Sequence, residues 1–139
     1  AFIVTLIYVL KVRWLNDQQL INQFIYDVRI FCGPIEIKGR GFVDTGNHLI
    51  DEKTALPIMM VPKEMFCKES MEDFLMKHRI SSWSTSYSVI NDDQQHLLVF
   101  KPTLLLINDQ VVRNVLIGVV ENQFYEYDFL LQPSMVRSI

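Results

Sequence analysis

The chain has 139 residues, enough for one domain whose core takes up roughly two thirds of the unfolded surface. Half of the residues (50%) are hydrophobic and 21% are charged, with nine Phe, five Tyr and two Trp, which excludes disorder and low-complexity structure. Thirteen Lys and Arg against sixteen Asp and Glu leave a net charge of −3 and no footprint for a nucleic-acid backbone, while two cysteines, Cys32 and Cys67, are too few for a disulfide framework or a zinc knuckle and leave a reducing compartment as the default.

Residues 1–10 (AFIVTLIYVL) are apolar apart from Thr5 and end before Lys11 and Arg13, but they span only about half of the ~20 residues that a transmembrane helix needs. Read as the end of a longer apolar segment, the run places Lys11 and Arg13 just past a membrane on its cytoplasmic side. Read as a buried strand, it draws on the β-branched Ile3, Val4, Ile7 and Val9 and the aromatic Phe2 and Tyr8. A signal peptide fits neither flank, since no charged start precedes the run and no small-residue cleavage site follows it. A polar stretch over residues 15–23 reads as a helix or linker.

From residue 24 the pattern changes to short strands. Residues 24–31 (FIYDVRIF) put Asp27 and Arg29 on one face and Tyr26, Val28 and Ile30 on the other, Cys32-Gly33-Pro34 makes a turn, and residues 35–42 (IEIKGRGF) alternate again, so the pair reads as a β-hairpin. A polar loop over residues 43–47 follows, then a strand at 56–61 (LPIMMV) closed by Pro62. Ser70 precedes Met71, Phe74, Leu75 and His78 at helical spacing, with Asp73 as a weak form of the capping box, which predicts a surface helix over 70–79. Strands are expected at 87–90, 96–100, 103–107 and 111–120, and a short aromatic stretch ends at 129–131. The fold is expected to be mainly β, without internal repeats and in one compact domain.

Most familiar site chemistries are missing. Gly39-Arg40-Gly41 begins like a dinucleotide fingerprint, but the third glycine would fall at Asp44 and no helical pattern follows. No phosphate-binding loop and no nucleophile-elbow serine occurs, and His48, His78 and His96 lie at metal-ligand spacing neither from one another nor from a cysteine. Met59-Met60 and the aromatic cluster of Phe124, Tyr125, Tyr127 and Phe129 read as core, and Glu69, Glu72 and Asp73 as a solvated helix face.

The exception is Gly41-Phe42-Val43-Asp44-Thr45-Gly46-Asn47. Two apolar residues deliver the Asp44 carboxylate from a strand end into a tight loop. Gly46 lets backbone N–H groups approach that carboxylate, and the Thr45 hydroxyl is able to lock the loop by hydrogen bonding. A simple Asp-Gly type turn is the alternative. At residue frequencies of roughly one in twenty the trio arises by chance in a chain of this length about 2% of the time, so the motif invites a functional reading without deciding it.

Asp-Thr-Gly after two apolar residues resembles the catalytic motif of aspartic peptidases. That chemistry needs two carboxylates that share one proton, one acting as general base on a water while the other polarises the peptide carbonyl. The sequence holds a single Asp-Thr-Gly, since no other Asp is followed by Thr/Ser-Gly. An enzyme of this kind is therefore expected to be a homodimer that pairs Asp44 with its own copy, as in the retroviral (retropepsin) type. Val115-Leu116-Ile117-Gly118 resembles the apolar-apolar-Gly element that packs beneath the active loop of that fold.

With its flanks included, the sequence resembles the sporulation sigma-E factor-processing peptidase family of endospore-forming bacteria. The resemblance runs over about residues 24–136. It rests on the 41–47 motif with Asn47 after the glycine, the acidic Asp51-Glu52, the 56–61 strand, Ser88-Val89, Leu97-Leu98-x-Phe100-x-Pro102, residues 115–118 and Phe129-Leu130-Leu131-x-Pro133. It implies a retropepsin-like domain, with a closed β-barrel-like half and one or two short helices, active as a twofold homodimer. The resemblance makes residues 1–14 the end of a membrane-spanning segment, 15–23 a linker and 24–139 the aspartic peptidase domain.

By the same resemblance, Asp44 is catalytic, Thr45 and Gly46 support its loop, Ser88, Val89 and Asn91 belong to a substrate-covering flap, and Ile117 and Gly118 pack beneath the loop. No cofactor or metal is expected. The implied substrate is a sigma-E precursor with an amino-terminal pro-segment, the implied activator a signal protein secreted by the forespore. The implied location is the cell membrane, through an amino-terminal domain, with the peptidase domain facing the mother-cell cytoplasm. One departure stands out: members usually carry glycines after Ser-Val, where this chain has Ile90-Asn91-Asp92-Asp93. Two other readings stay open, a non-catalytic dimeric module of the same fold and a peptidase of that fold with a different protein substrate.

Overall fold

The computed structural model describes residues 2–22, 24–88, 94–124 and 126–137. A long helix comes first, α1 (Phe2–Asn22). It runs without a break across the residues read as a membrane-span end and as a linker. Ile3, Val4, Leu6, Ile7, Tyr8, Val9 and Leu10 are all exposed; at 100° per residue these positions surround the helix, so no polar face is left for water. Among the described residues no helix is long and apolar enough to cross a membrane. The buried-strand reading of this segment is corrected, because the run continues through residues of good helix propensity such as Lys11, Arg13 and Leu15.

Nine strands of the described residues form one mixed sheet. The expected hairpin is β1 (Ile25–Cys32) and β2 (Ile35–Val43), paired antiparallel from Ile25 opposite Phe42 to Cys32 opposite Ile35. Gly33 turns the chain at φ 60°, a conformation that favours glycine. Val28, Ile30 and Cys32 point inward while Asp27 stays in solvent, as the alternation requires. The remaining strands are β3 (Ile58–Pro62), β4 (Ser82–Ser88), β5 (Gln94–Phe100), β6 (Leu104–Ile107), β7 (Gln110–Val111), β8 (Leu116–Val120) and β9 (Phe129–Leu131). Their order across the sheet is β4-β5-β8-β3-β9-β2-β1-β6-β7.

The fold is mainly β, as expected, but the sheet is open. No ladder joins β4 to β7 among the described residues, where a closed barrel-like half was expected. The strand expected over 111–120 is two strands. Its first residue closes a tight hairpin with β6 through Asn108 and Asp109, both at positive φ, and β8 starts only after Asn114, also at positive φ, has turned the chain. The strand expected at 87–90 begins five residues earlier, at Ser82. The predicted helix is α2 (Met71–Lys77), capped by Ser70, whose hydroxyl accepts the Asp73 N–H.

Two apolar cores lie on opposite faces of the central strands. The larger includes Val28, Ile30, Met59, Phe100, Ile117, Phe129 and Leu131, with Phe74 and Leu75 of α2 laid over it. The smaller is built from Ile58, Leu97, Val99 and Leu116. The period of two explains the split: Ile58 and Met59 are neighbours in β3 and face opposite ways. Strands β3 and β8 pair in parallel and are covered on both faces, which is why LPIMMV and VLIG read as unbroken apolar runs.

Candidate active site

Strand β2 ends on the buried Val43, and Asp44 is the next residue. Its backbone N–H donates to the Leu131 carbonyl at 3.0 Å, which fixes the start of the loop to the end of β9. Its carboxylate is half-buried and accepts the Gly46 N–H at Oδ1, 3.0 Å away. The Asn47 N–H donates back to the Asp44 carbonyl at 3.0 Å, and Asn47 Oδ1 accepts the Leu49 N–H at 3.2 Å. Two successive turns of this kind hold a short polar segment rigid without regular structure. Thr45 is exposed, and its hydroxyl makes no hydrogen bond among the described residues.

The loop continues as a miniature hairpin. The Ile58 N–H donates to the Leu49 carbonyl, the Asp51 N–H to Leu56 and the Ala55 N–H back to Asp51. Leu49 and Leu56 press onto the smaller core. The Gln132 side chain, buried after β9, donates its amide N–H groups to the Leu49 carbonyl at 2.5 Å and the Ile58 carbonyl at 3.0 Å.

At the tip sits Asp51, which is 1% exposed. Its Oδ2 accepts the Thr54 hydroxyl at 2.7 Å and the Thr54 N–H at 3.0 Å, and the Trp83 indole N–H of β4 lies 3.2 Å from both carboxylate oxygens. Burial acts to raise its pKa, but the hydrogen bonds from Thr54, Thr85 and Trp83 outweigh it and hold the carboxyl below the ordinary aspartate value of 3.8. Asp51 is therefore an ionised, fully partnered group inside the protein. In the sequence Asp51-Glu52 reads only as a short acidic loop; the Asp-x-x-Thr spacing is the available local signal for a buried acceptor, and the Trp83 contact has none.

A cavity of about 540 Å³ opens beside the loop, between its residues Gly46, Asn47, Ile50 and Glu52 and the β4 residues Ser86 and Tyr87. A polypeptide segment laid there would pass directly by the Asp44 loop. Ser88 ends β4 opposite Gln94, the first residue of β5. The other two flap candidates, Val89 and Asn91, lie outside the described residues. Ile117 and Gly118 sit in β8, separated from β2 in the sheet by β3 and β9. Ile117 faces the larger core, and Gly118 lies against Ile58 and Leu97 of the smaller core on which the loop rests. Among the described residues no three His, Cys, Asp or Glu side chains gather as a metal site would.

A family model described as sporulation factor SpoIIGA, a peptidase family, matches residues 1–135, nearly the whole chain. The chain belongs to the SpoIIGA family. A curated relative in that line is the Clostridium acetobutylicum protein named "Probable sporulation sigma-E factor-processing peptidase", 28% identical over 143 residues and covering 98% of this chain. The chain spans about half (52%) of that relative's length. No solved structure matches. The SpoIIGA match begins at residue 1 and so takes in α1 together with the sheet domain.

Proposed function

We propose that this chain is the aspartic endopeptidase domain of a sporulation sigma-E factor-processing peptidase. The observation that carries the reading is the Asp44 carboxylate itself, placed at the end of a buried strand and held by the Gly46 N–H, in a loop whose Gly46 and Asn47 line a cavity of about 540 Å³. With one Asp-Thr-Gly in the sequence, the second carboxylate comes from a second copy. Two such groups at close range cannot both ionise, so the pair holds one proton.

The ionised member then takes a proton from a bound water as its oxygen attacks the peptide carbonyl, and the protonated member gives its proton to the carbonyl oxygen. The first member then passes that proton to the amide nitrogen while the second takes a hydroxyl proton from the tetrahedral diol, so that the carbonyl re-forms, the C–N bond breaks and the pair is again singly protonated. In this reading the exposed Thr45 and Gly46 support the loop against the second copy. Ser88, Val89 and Asn91 belong to a flap that covers the substrate, and Ile117 and Gly118 back the core beneath the loop.

The name of the relative supports processing of a sigma-E factor precursor; in this reading the cleavage releases an amino-terminal pro-segment. The remaining parts of the proposal are a forespore-secreted signal protein as activator and membrane anchorage through an amino-terminal domain ending at residues 1–14, with the peptidase facing the mother-cell cytoplasm. The apolar surround of α1 fits a segment leaving a lipid or protein environment.

The test is co-expression of the full-length protein with its signal protein and a tagged precursor. Wild type should yield the shortened product, and Asp44→Ala and Asp44→Asn should not. Excess Asp44→Ala subunits should also suppress wild-type processing, because mixed pairs hold one carboxylate. Processing by the Asp44 variants would overturn the aspartic mechanism, and absence of suppression would overturn the shared pair.

A further inference from the structure

The buried polar or charged side chains among the described residues are Asp51, Thr85 and Gln132. Burial of such groups is unfavourable unless they are bonded, so their partners indicate what they are kept for. All three serve one stretch of backbone. Gln132 holds the base of the loop through the Leu49 and Ile58 carbonyls. Thr85 of β4 accepts the Glu52 N–H at 3.4 Å, and its side chain helps hold the Asp51 carboxyl ionised. Asp51 gathers donors from both sides, Thr54 within the loop and Trp83 from β4.

Around this acceptor the same two elements close further. The Lys53 ammonium lies 5.2 Å from the centre of the Trp83 ring, and the Ser86 hydroxyl donates to the Glu52 carboxylate at 3.3 Å. Ile50 and Glu52 flank Asp51 in sequence and line the cavity beside the Asp44 loop, while Ser86 and Tyr87 line its other side. The charged acceptor thus sits where the two walls of the cavity meet.

We infer that Asp51 is a positioning residue: its carboxylate clamps the 50–54 wall of the cavity onto β4 and sets the width of the groove that receives the substrate polypeptide. The clamp stands on the geometry alone; its effect on substrate rests on the peptidase reading above. Apolar contacts also fasten a loop, but an acceptor that takes an indole N–H across both oxygens fixes direction as well as distance.

The experiment uses the full-length protein as wild type, Trp83→Phe, Asp51→Asn and Asp51→Ala. Trypsin cleavage after Lys53, at the loop tip, reads the clamp; cleavage after Lys38, inside β2, reads global unfolding. Loss of a hydrogen bond to a charged acceptor should speed the Lys53 cut about tenfold in Trp83→Phe, with the Lys38 cut unchanged. Asp51→Asn keeps one acceptor oxygen and should lie between wild type and Asp51→Ala.

In processing assays the same variants should raise KM several-fold, roughly in step with the Lys53 cut, while kcat stays within about twofold. An unchanged Lys53 cut in Trp83→Phe and Asp51→Asn overturns the clamp. A faster cut with unchanged KM overturns its role in the groove. If Asp51→Ala is cut equally fast at Lys38, it has unfolded and Trp83→Phe decides. If wild type gives no Asp44-dependent product, the peptidase reading fails, and the Lys53 cut still decides the clamp.

Discussion

Gly46 donates its N–H to the Asp44 carboxylate, and a methyl group built on Gly46 would meet nothing closer than that carboxylate oxygen, 3.5 Å away. Its backbone does not lie in the left-handed region, so within one chain neither space nor conformation demands glycine here. Gly46→Ala should keep the fold, with stability within about 1 kcal/mol of wild type in urea unfolding. Loss of processing by that stable variant would place the demand for glycine on what approaches the loop from outside, substrate or second copy.

Gly118 is the opposite case. A Cβ there would stand 2.7 Å from Ile58 Cγ2 and 2.7 Å from Leu97 Cδ2, both in the smaller core. Gly118→Ala should destabilise by about 1 to 3 kcal/mol through overpacking, read as a lower urea midpoint with an unchanged slope. A variant as stable as wild type would mean that the core beneath the loop yields freely.

The depressed pKa of Asp51 has a definite sign. The fold favours the ionised form more than the unfolded chain does, so the stabilisation is complete above the ordinary value of 3.8 and is lost as pH falls through the lower folded value. Acid should therefore lower the unfolding free energy of wild type below pH 3.8. Asp51→Asn, which has nothing to protonate, should fall less steeply over the same range. Parallel curves would show that Asp51 is not an ionised acceptor.

The two thiols should separate chemically. Cys32 is fully buried in the larger core, and burial pushes its pKa up to about 11. Cys67 is only partly covered; burial and the charge of Glu69 raise its pKa less far. Iodoacetamide at mildly alkaline pH should label Cys67 in the native protein and reach Cys32 only after denaturation. Equal labelling of both would mean that the β1 side of the core opens readily.

What the sequence disclosed and what it hid divide by distance along the chain. The β1–β2 hairpin and the capped α2 are local patterns, legible from alternation around Gly33 and from the Ser70 spacing. Strand β4 reads poorly because four of its seven residues are serine, with little strand preference; it exists through its ladder with β5 and the inward Trp83 and Thr85. Residues 111–120 look like one strand because they are apolar almost throughout, yet β7 ends one side of the sheet and β8 lies near the other. Only tertiary pairing decides that. Asp44 announced itself through its two neighbours, whereas Asp51 depends on Trp83, 32 residues away.

The place of β9 bears on how the protein is made. It is the latest of the described strands in the chain and the middle one of the nine, joining β4-β5-β8-β3 to β2-β1-β6-β7 through three residues. A nascent chain that has reached Val120 already holds every strand of both halves, but neither the seam between them nor the Leu131 carbonyl that anchors Asp44. During synthesis the carboxylate stays on an unfinished edge until the last strand slots in. A ribosome-bound or prematurely terminated product therefore carries the motif without its seat.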